Sequence, residues 1–276
     1  MMDKERTTQR ISTEIIDLDH SEFVAQVLQG MDKQEFKLLF HPILCTQTQS
    51  IEVVETLVYW QHPTYGYICC NDFSRKIEMC SLCIPFGIHI LRLFSETMSF
   101  MKKRIEKTLR FSITISIRQL ISEGYVEYIC KTLHMFNNSL KDILIVIPDH
   151  EAIENLDLVE SVLTKLCEQG FSFALSKYET GFKTLECINR LPLSMIKIDQ
   201  QFIPNKPLHD EFQVGSLFES IVGLCQCKNV TTIAHGIQDK TQATMIQCLG
   251  VDFMQGAIFH EPMSVSDLIS LCSQCD

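Results

Sequence analysis

The sequence predicts an α/β protein, a modified (β/α)8 barrel whose first strand is antiparallel. Eight short apolar runs alternate with longer helical patterns, and alternation on this scale is typical of a closed barrel. Only the short polar segment 46–50 joins the first two runs, which is too short for a crossover helix, so these strands must pair antiparallel. The 276 residues contain no Gly/Ser linker, and one large domain is therefore expected.

Each predicted strand is a short run rich in Val, Ile, Leu and Phe. The strands are predicted over 36–44, 51–60, 111–117, 142–148, 171–176, 194–199, 229–235 and 251–256. Apolar residues at helical spacing predict helices over 84–104, 118–135, 152–169, 180–189, 211–225, 240–249 and 265–271. Gly170 and Gly250 follow two of these helices and are typical end signals. Residues 1–22 are expected to form a leader or cap helix, and 23–276 the barrel domain.

Composition and charge exclude several classes of protein. Hydrophobic residues make up 46% and charged residues 21% of the chain, which excludes wholesale disorder. The 24 Lys and Arg against 34 Asp and Glu give a net charge of −10, which opposes direct nucleic-acid binding. The best apolar stretch, 83–91, is too short to span a membrane, and the polar start lacks the apolar core of a signal peptide. A cytoplasmic protein without membrane contact is expected.

The 13 cysteines are odd in number and dispersed, so reduced thiols are expected. Two pairs, Cys80 with Cys83 and Cys272 with Cys275, have metal-type spacing and together could make one zinc site. The favoured interpretation is that cysteine fills space as a small apolar residue, with Cys80 and Cys83 beside a helix start.

Reactive residues of such barrels lie at the carboxyl ends of the strands. A metal-dependent hydrolase would need several oxygen ligands at these positions. Only one carboxylate is present among them. The candidate site residues are Glu55, Thr114, Val146, Ser176, Lys177, Lys197, His235 and Gln255.

Seven segments, in order along the chain, are similar to the EAL domain family. They are FHPI (40–43), ETLVYWQHPTYG (55–66), ITISIRQL (113–120), ALSKYETGF (174–182), INRLPLSMIKIDQQF (188–202), IAHGI (233–237) and LGVDFMQG (249–256). The resemblance implies a modified TIM barrel of the EAL type. Active members of that family hydrolyse cyclic di-GMP with two divalent cations bound at the strand ends.

The segments that form the barrel match the family better than the residues of its active site do. Glu55, Lys197 and Gln255 agree with the family's site residues. Thr114 stands in place of the family's Asn, Val146 in place of its strand Glu, and Ser176-Lys177 in place of its Asp-Asp pair. His235 replaces the family's later Glu. Tyr59 replaces the Arg that contacts the nucleotide, and His41 replaces the glutamine of the QPI motif.

These replacements predict a degenerate site. Mg²⁺ requires near-octahedral oxygen ligands, whereas Val146 offers none and Thr114 and Ser176 offer neutral hydroxyls. No catalytic residue, bound metal or cofactor is therefore expected. Glu55 is expected to form an ion pair with Lys197 or Lys177, because a buried lone charge is destabilising. His235 is interpreted as a hydrogen-bonded barrel histidine.

The predicted function is that of an inactive regulatory adaptor, which modulates a transcriptional, motility or virulence regulator through protein contacts. The acidic chain favours a cytosolic partner with a basic face, and DNA-binding regulators are one such class. The alternative is a non-hydrolysing cyclic di-GMP receptor. The replacement of the family's Arg by Tyr59 and the loss of metal ligands argue against nucleotide binding, so cyclic di-GMP is not expected as a partner.

Overall fold

The computed structural model describes residues 18–176, 182–203 and 214–273, and it has the predicted architecture. Eight strands close into a barrel, and a further short strand extends the sheet. The strands are β1 (Phe36–Cys45), β2 (Ile51–His62), β3 (Gly66–Cys69), β4 (Arg110–Thr114), β5 (Ile143–Pro148), β6 (Phe173–Ser176), β7 (Met195–Ile198), β8 (Thr231–His235) and β9 (Phe253–Gln255).

The first strand runs antiparallel to both neighbours, as predicted. β1 pairs with β2 along nearly its whole length, with Phe36 opposite Trp60, and its far end pairs with β9, with Leu44 opposite Met254. The pairs from β2 to β4 and onward to β9 are all parallel, so their carboxyl ends meet at one end of the barrel. β3 pairs antiparallel with the last residues of β2, outside the ring of eight.

Helices follow most of the strands. They are α1 (His20–Asp32), α2 (Cys70–Met79), α3 (Cys83–Lys102), α4 (Ile117–Leu120), α5 (Tyr125–Met135), α6 (Asp149–Glu154), α7 (Leu156–Glu168), α8 (Phe182–Arg190), α9 (Val214–Lys228), α10 (Lys240–Cys248) and α11 (Val265–Ser273). Within the described ranges, none of these helices is both long enough and apolar enough to cross a membrane.

The structure differs from the predicted elements in four places. The helix predicted over 118–135 is two helices, because Gly124 adopts φ +74° and caps the start of α5. The helix predicted over 152–169 is interrupted at Asn155, which has φ −144° and ψ 61°. Strand β3 and helix α2 were not predicted, and neither was the continuation of α1 to Asp32. Of the leader or cap helix expected over residues 1–22, residues 1–17 lie outside the described part of the chain.

An aromatic cluster fixes α2 and α3 against the barrel. The Phe36 ring lies 5.1 Å from Trp60 and 5.0 Å from Phe86 between ring centroids, and Phe73 of α2 packs on the same group. Trp60 is fully buried, and its Nε1 donates to Glu35 Oε2 at 2.9 Å, which satisfies its polar atom. The two helices are therefore held rigidly beside the strand ends.

A tight contact between β9 and the segment after β8 provides a test of this packing. A Cβ at Gly256 would clash with the backbone of Ile237, whose N would lie 2.6 Å away, and backbone atoms cannot rotate aside. We expect Gly256→Ala to lower the free energy of unfolding by about 3 kcal/mol in urea denaturation.

The matched control is Gly223→Ala in α9, where a Cβ meets nothing within 4 Å. Alanine is the better helix former, so this variant should gain about 0.5–1 kcal/mol. Equal stabilities for the two variants would contradict the assigned contact.

Candidate functional site

A charged network joins β2, β7 and β9 at one end of the barrel, where the parallel pairing of β2 with β4 ends at Glu55. Lys197 at the end of β7 donates from Nζ to Glu55 Oε1 at 2.6 Å, which is the ion pair expected from the sequence. Gln255 at the end of β9 donates from Nε2 to Glu55 Oε2 at 2.9 Å. Both carboxylate oxygens of Glu55 are thus bound by protein groups.

The environment keeps Glu55 ionised. Burial alone would raise the pKa of its carboxyl, but the charge and hydrogen bond of Lys197, aided by Gln255, lower that pKa from 4.5 to about 2. The side chain of Lys197 is 9% exposed and that of Glu55 is 20% exposed. The pair is consequently shielded from most of the screening that weakens surface ion pairs.

Histidine completes the network. His235 Nδ1 lies 3.1 Å from Gln255 Oε1, and since Gln255 Nε2 donates to Glu55, the histidine nitrogen is the donor. Burial, with a further contribution from Lys197, lowers the pKa of His235 to about 4, so the ring is neutral at pH 7. His41 lies nearby, with its ring centroid 6.4 Å away, and bonds through Nε2 to the carbonyl oxygen of His260.

A cavity of about 420 Å³ opens above this network. Glu55 and Lys197 line it together with Thr114, Val146 and Ser176, at the ends of β4, β5 and β6. Helices α2 and α3 supply its more apolar wall, including Phe86 and Ile90. His235 and Gln255 lie behind the lining residues, and Lys177 lies outside the described part of the chain. Except for Lys177, the sequence-selected residues therefore converge on one region.

The cavity also contains a carboxylate that the sequence analysis missed. Asp149 follows directly after β5, is 8% exposed, and accepts a hydrogen bond from the backbone N of His150 at 2.8 Å. Asp149 lies one residue beyond the strand predicted over 142–148, and this position at a strand end could have identified it as a site residue. Tyr59, at the position of the family's Arg, is not among the lining residues; it pairs with Cys69 of β3.

A second group of ionisable residues lies at the rim of the cavity. Glu78, near the end of α2, has Oε2 at 3.4 Å from His150 Nε2, and Glu151 follows in the first turn of α6. Burial raises the pKa of Glu151 to about 7, with a further contribution from Glu78, and burial also raises the pKa of Glu78. We call Glu78, His150 and Glu151 the rim cluster; the sequence analysis missed it because its two segments are far apart in the chain.

The cysteine pair Cys80 and Cys83 lies beside the start of α3, as expected. Cys80 Sγ donates to Ile77 O and accepts from Leu82 N, whereas Cys83 Sγ lies 3.7 Å from Ser116 Oγ. The two thiols serve separate local contacts. Cys272 is buried, and Cys275 lies outside the described residues.

Comparison with known proteins agrees with this geometry. A model of the EAL domain family matches residues 24–262. The chain belongs to the EAL domain family. This EAL chain is 23% identical over 241 residues to the cyclic di-GMP phosphodiesterase PdeL of Escherichia coli, covering 87% of the chain and 66% of PdeL. The first relatives matched are longer proteins, of which the chain spans between 36% and 66%.

Solved structures share the fold. The EAL enzyme Bd1971, in a form bound to cAMP and cyclic di-GMP, matches with a TM-score of 0.84 at 22% identity, over 92% of this chain and 69% of that one. The PaMucR phosphodiesterase in complex with cyclic di-GMP matches with a TM-score of 0.80 at 22% identity, over 89% and 98% of the two chains.

These complexes correct one prediction. The expectation that cyclic di-GMP is not a partner is wrong, because domains of the same fold were solved with that nucleotide bound. That expectation rested on the predicted replacement of metal ligands and of the family's Arg, and it treated this replacement as the loss of the binding site. Cavity shape and catalytic ligands are separate properties, and here the cavity remains open above the Glu55–Lys197 pair.

The ion pair itself can be tested by substitution. Glu55→Gln leaves Lys197 buried without its counter-charge, and we expect a loss of about 3 kcal/mol in the free energy of unfolding at pH 7. Because the folded-state pKa of Glu55 is depressed, its stabilisation is complete above pH 4.5 and is lost as the pH falls toward 2. The difference between parent and variant should therefore narrow below pH 4.5 in denaturant titrations.

Glu52→Gln on the same strand is the control, because Glu52 accepts only from the Ser50 hydroxyl and has no ion pair among the described contacts. It should cost less than about 1 kcal/mol. A Glu55→Gln variant as stable as Glu52→Gln at pH 7 would show that the pair contributes nothing.

Proposed function

We propose that this EAL chain is a non-hydrolysing receptor for cyclic di-GMP, which binds in the cavity above the Glu55–Lys197 pair. The observation that carries the proposal is the donor set of the cavity lining, which has Thr114, Val146 and Ser176 where a metal-dependent active site would need several oxygen ligands. Both oxygens of Glu55 are bound by Lys197 and Gln255, at 2.6 and 2.9 Å, while the cavity above them stays open. An open cavity with this lining supports a binding site better than a metal-dependent active site.

The donor set at the strand ends does not match two divalent cations. Val146 has no side-chain ligand atom, and Thr114 and Ser176 carry neutral hydroxyls. Asp149 adds one carboxylate, which leaves the site short of the several oxygen ligands that a pair of Mg²⁺ ions needs. The residues present therefore do not fit the metals of active family members, and no hydrolytic step is assigned here.

The cavity has properties that suit a cyclic dinucleotide. Its volume of about 420 Å³ lies within the usual range of ligand sites, and it combines the apolar wall of α2 and α3 with polar strand ends. Arg75 on the lining offers a guanidinium to a phosphate, and the Thr114 and Ser176 hydroxyls offer hydrogen bonds. The Bd1971 and PaMucR complexes support the choice of nucleotide. Regulation through a protein partner stays a prediction.

The binding test uses calorimetric titration of the full chain with cyclic di-GMP and a chelator present. The parent should bind saturably. Thr114→Glu places a negative charge on the cavity wall against the anionic ligand, and should weaken binding at least about ten-fold, which is 1.4 kcal/mol. Thr114→Gln has the same size without the charge and should retain more of the affinity. Absence of saturable binding to the parent would contradict the receptor.

Hydrolysis is measured separately on the parent with Mg²⁺ or Mn²⁺, following the linear dinucleotide. None should form. Turnover that depends on metal and disappears in Glu55→Gln would show that the site is an active phosphodiesterase.

A further inference from the structure

Three metal-ligating side chains come together at the rim cluster, outside the strand-end network. Each of Glu78, His150 and Glu151 offers one ligand atom, and these atoms all lie within 4.8 Å of one another. His150 Nε2 lies 3.4 Å from Glu78 Oε2. The three residues come from α2 and from the first turn of α6, which the fold places on the same side of the cavity mouth.

We propose that the rim cluster binds one divalent transition-metal ion. Among these ions, Zn²⁺ best matches the donor atoms and their separation. Zinc binds imidazole nitrogen and carboxylate oxygen at about 2.0–2.2 Å, so two ligands of a tetrahedral ion lie roughly 3.4 Å apart. The separation of His150 Nε2 and Glu78 Oε2 already has this value. One imidazole with two carboxylates is also a donor set that suits zinc better than Mg²⁺, which prefers oxygen ligands alone.

Two carboxylates face each other in the cluster. Glu78 and Glu151 repel each other, and Glu154 of α6 adds a further negative charge that acts on both. On the positive side, His150 acts on both carboxyls, Arg75 of α2 acts on Glu78, and the Arg118 guanidinium reaches the backbone carbonyl of Glu78. An ion held between Glu78 and Glu151 would remove the repulsion between their carboxylates.

Contacts from α4 orient the ligands. The backbone N of Ile117 donates to one oxygen of Glu151, and the Arg118 guanidinium donates to the backbone carbonyl of Glu78. A carboxylate has two oxygens, so Glu151 can keep its bond to Ile117 and bind an ion with the other. Such outer contacts fix the direction of ligands at metal sites. Glu78 and His150 also line the cavity, so the open position of a three-ligand ion would face it.

The test uses metal alone, without nucleotide, so that its result is independent of the proposed receptor. Because the chain has many thiols, Co²⁺ serves as the probe: ligation by nitrogen and oxygen gives a visible band without the near-ultraviolet absorption of cobalt thiolates. The chelator-treated full chain should bind one equivalent with that signature. Zn²⁺ should displace the cobalt.

His150→Ala and Glu151→Gln should each weaken this binding at least about ten-fold. His134→Ala, which removes an exposed histidine from α5, should bind cobalt like the parent. Circular dichroism verifies that the variants are folded. If one of them does not fold, Glu78→Gln is measured in its place. The proposal is overturned if the parent shows only the thiolate signature or no binding, or if all folded variants bind cobalt as the parent does.

Discussion

The ion pair between Glu55 and Lys197 is the constraint on which the candidate site depends. The Glu55 carboxylate of β2 is largely buried and must be compensated, and the ammonium of Lys197 near the end of β7 lies 2.6 Å away. Gln255 then satisfies the second oxygen and fixes the donor nitrogen of His235. The counter-charge of Glu55 thus comes from a side chain of the protein.

This arrangement separates the floor of the cavity from its rim. At the floor, opposite charges are matched and the pKa of Glu55 is low. At the rim, Glu78 and Glu151 have raised pKa values because burial and mutual repulsion are not fully offset. The rim cluster, where one imidazole and two carboxylates converge, is the place proposed for a divalent cation. Between the two lies the open volume proposed for the nucleotide.

The barrel could be predicted from sequence because each strand is a local apolar run, and the short link after β1 dictates its antiparallel direction. Strand β3 was missed because its four residues, which begin at Gly66, have no clear apolar alternation. Helix α2 had a weak signal in Phe73 and Ile77, which are buried one turn apart. The rim cluster could not be predicted, since Glu78 meets His150 only through tertiary packing.

The central claim is that protein groups, in place of metal ions, hold the Glu55 carboxylate. The most direct measurement is the carbon-13 resonance of that carboxyl in a labelled full chain, followed during acid titration with and without Mg²⁺. The account predicts a carboxyl that stays ionised well below pH 4.5, with a pKa near 2, and a resonance that Mg²⁺ does not shift. A midpoint near 4.5, or a saturable shift on adding Mg²⁺, would contradict it.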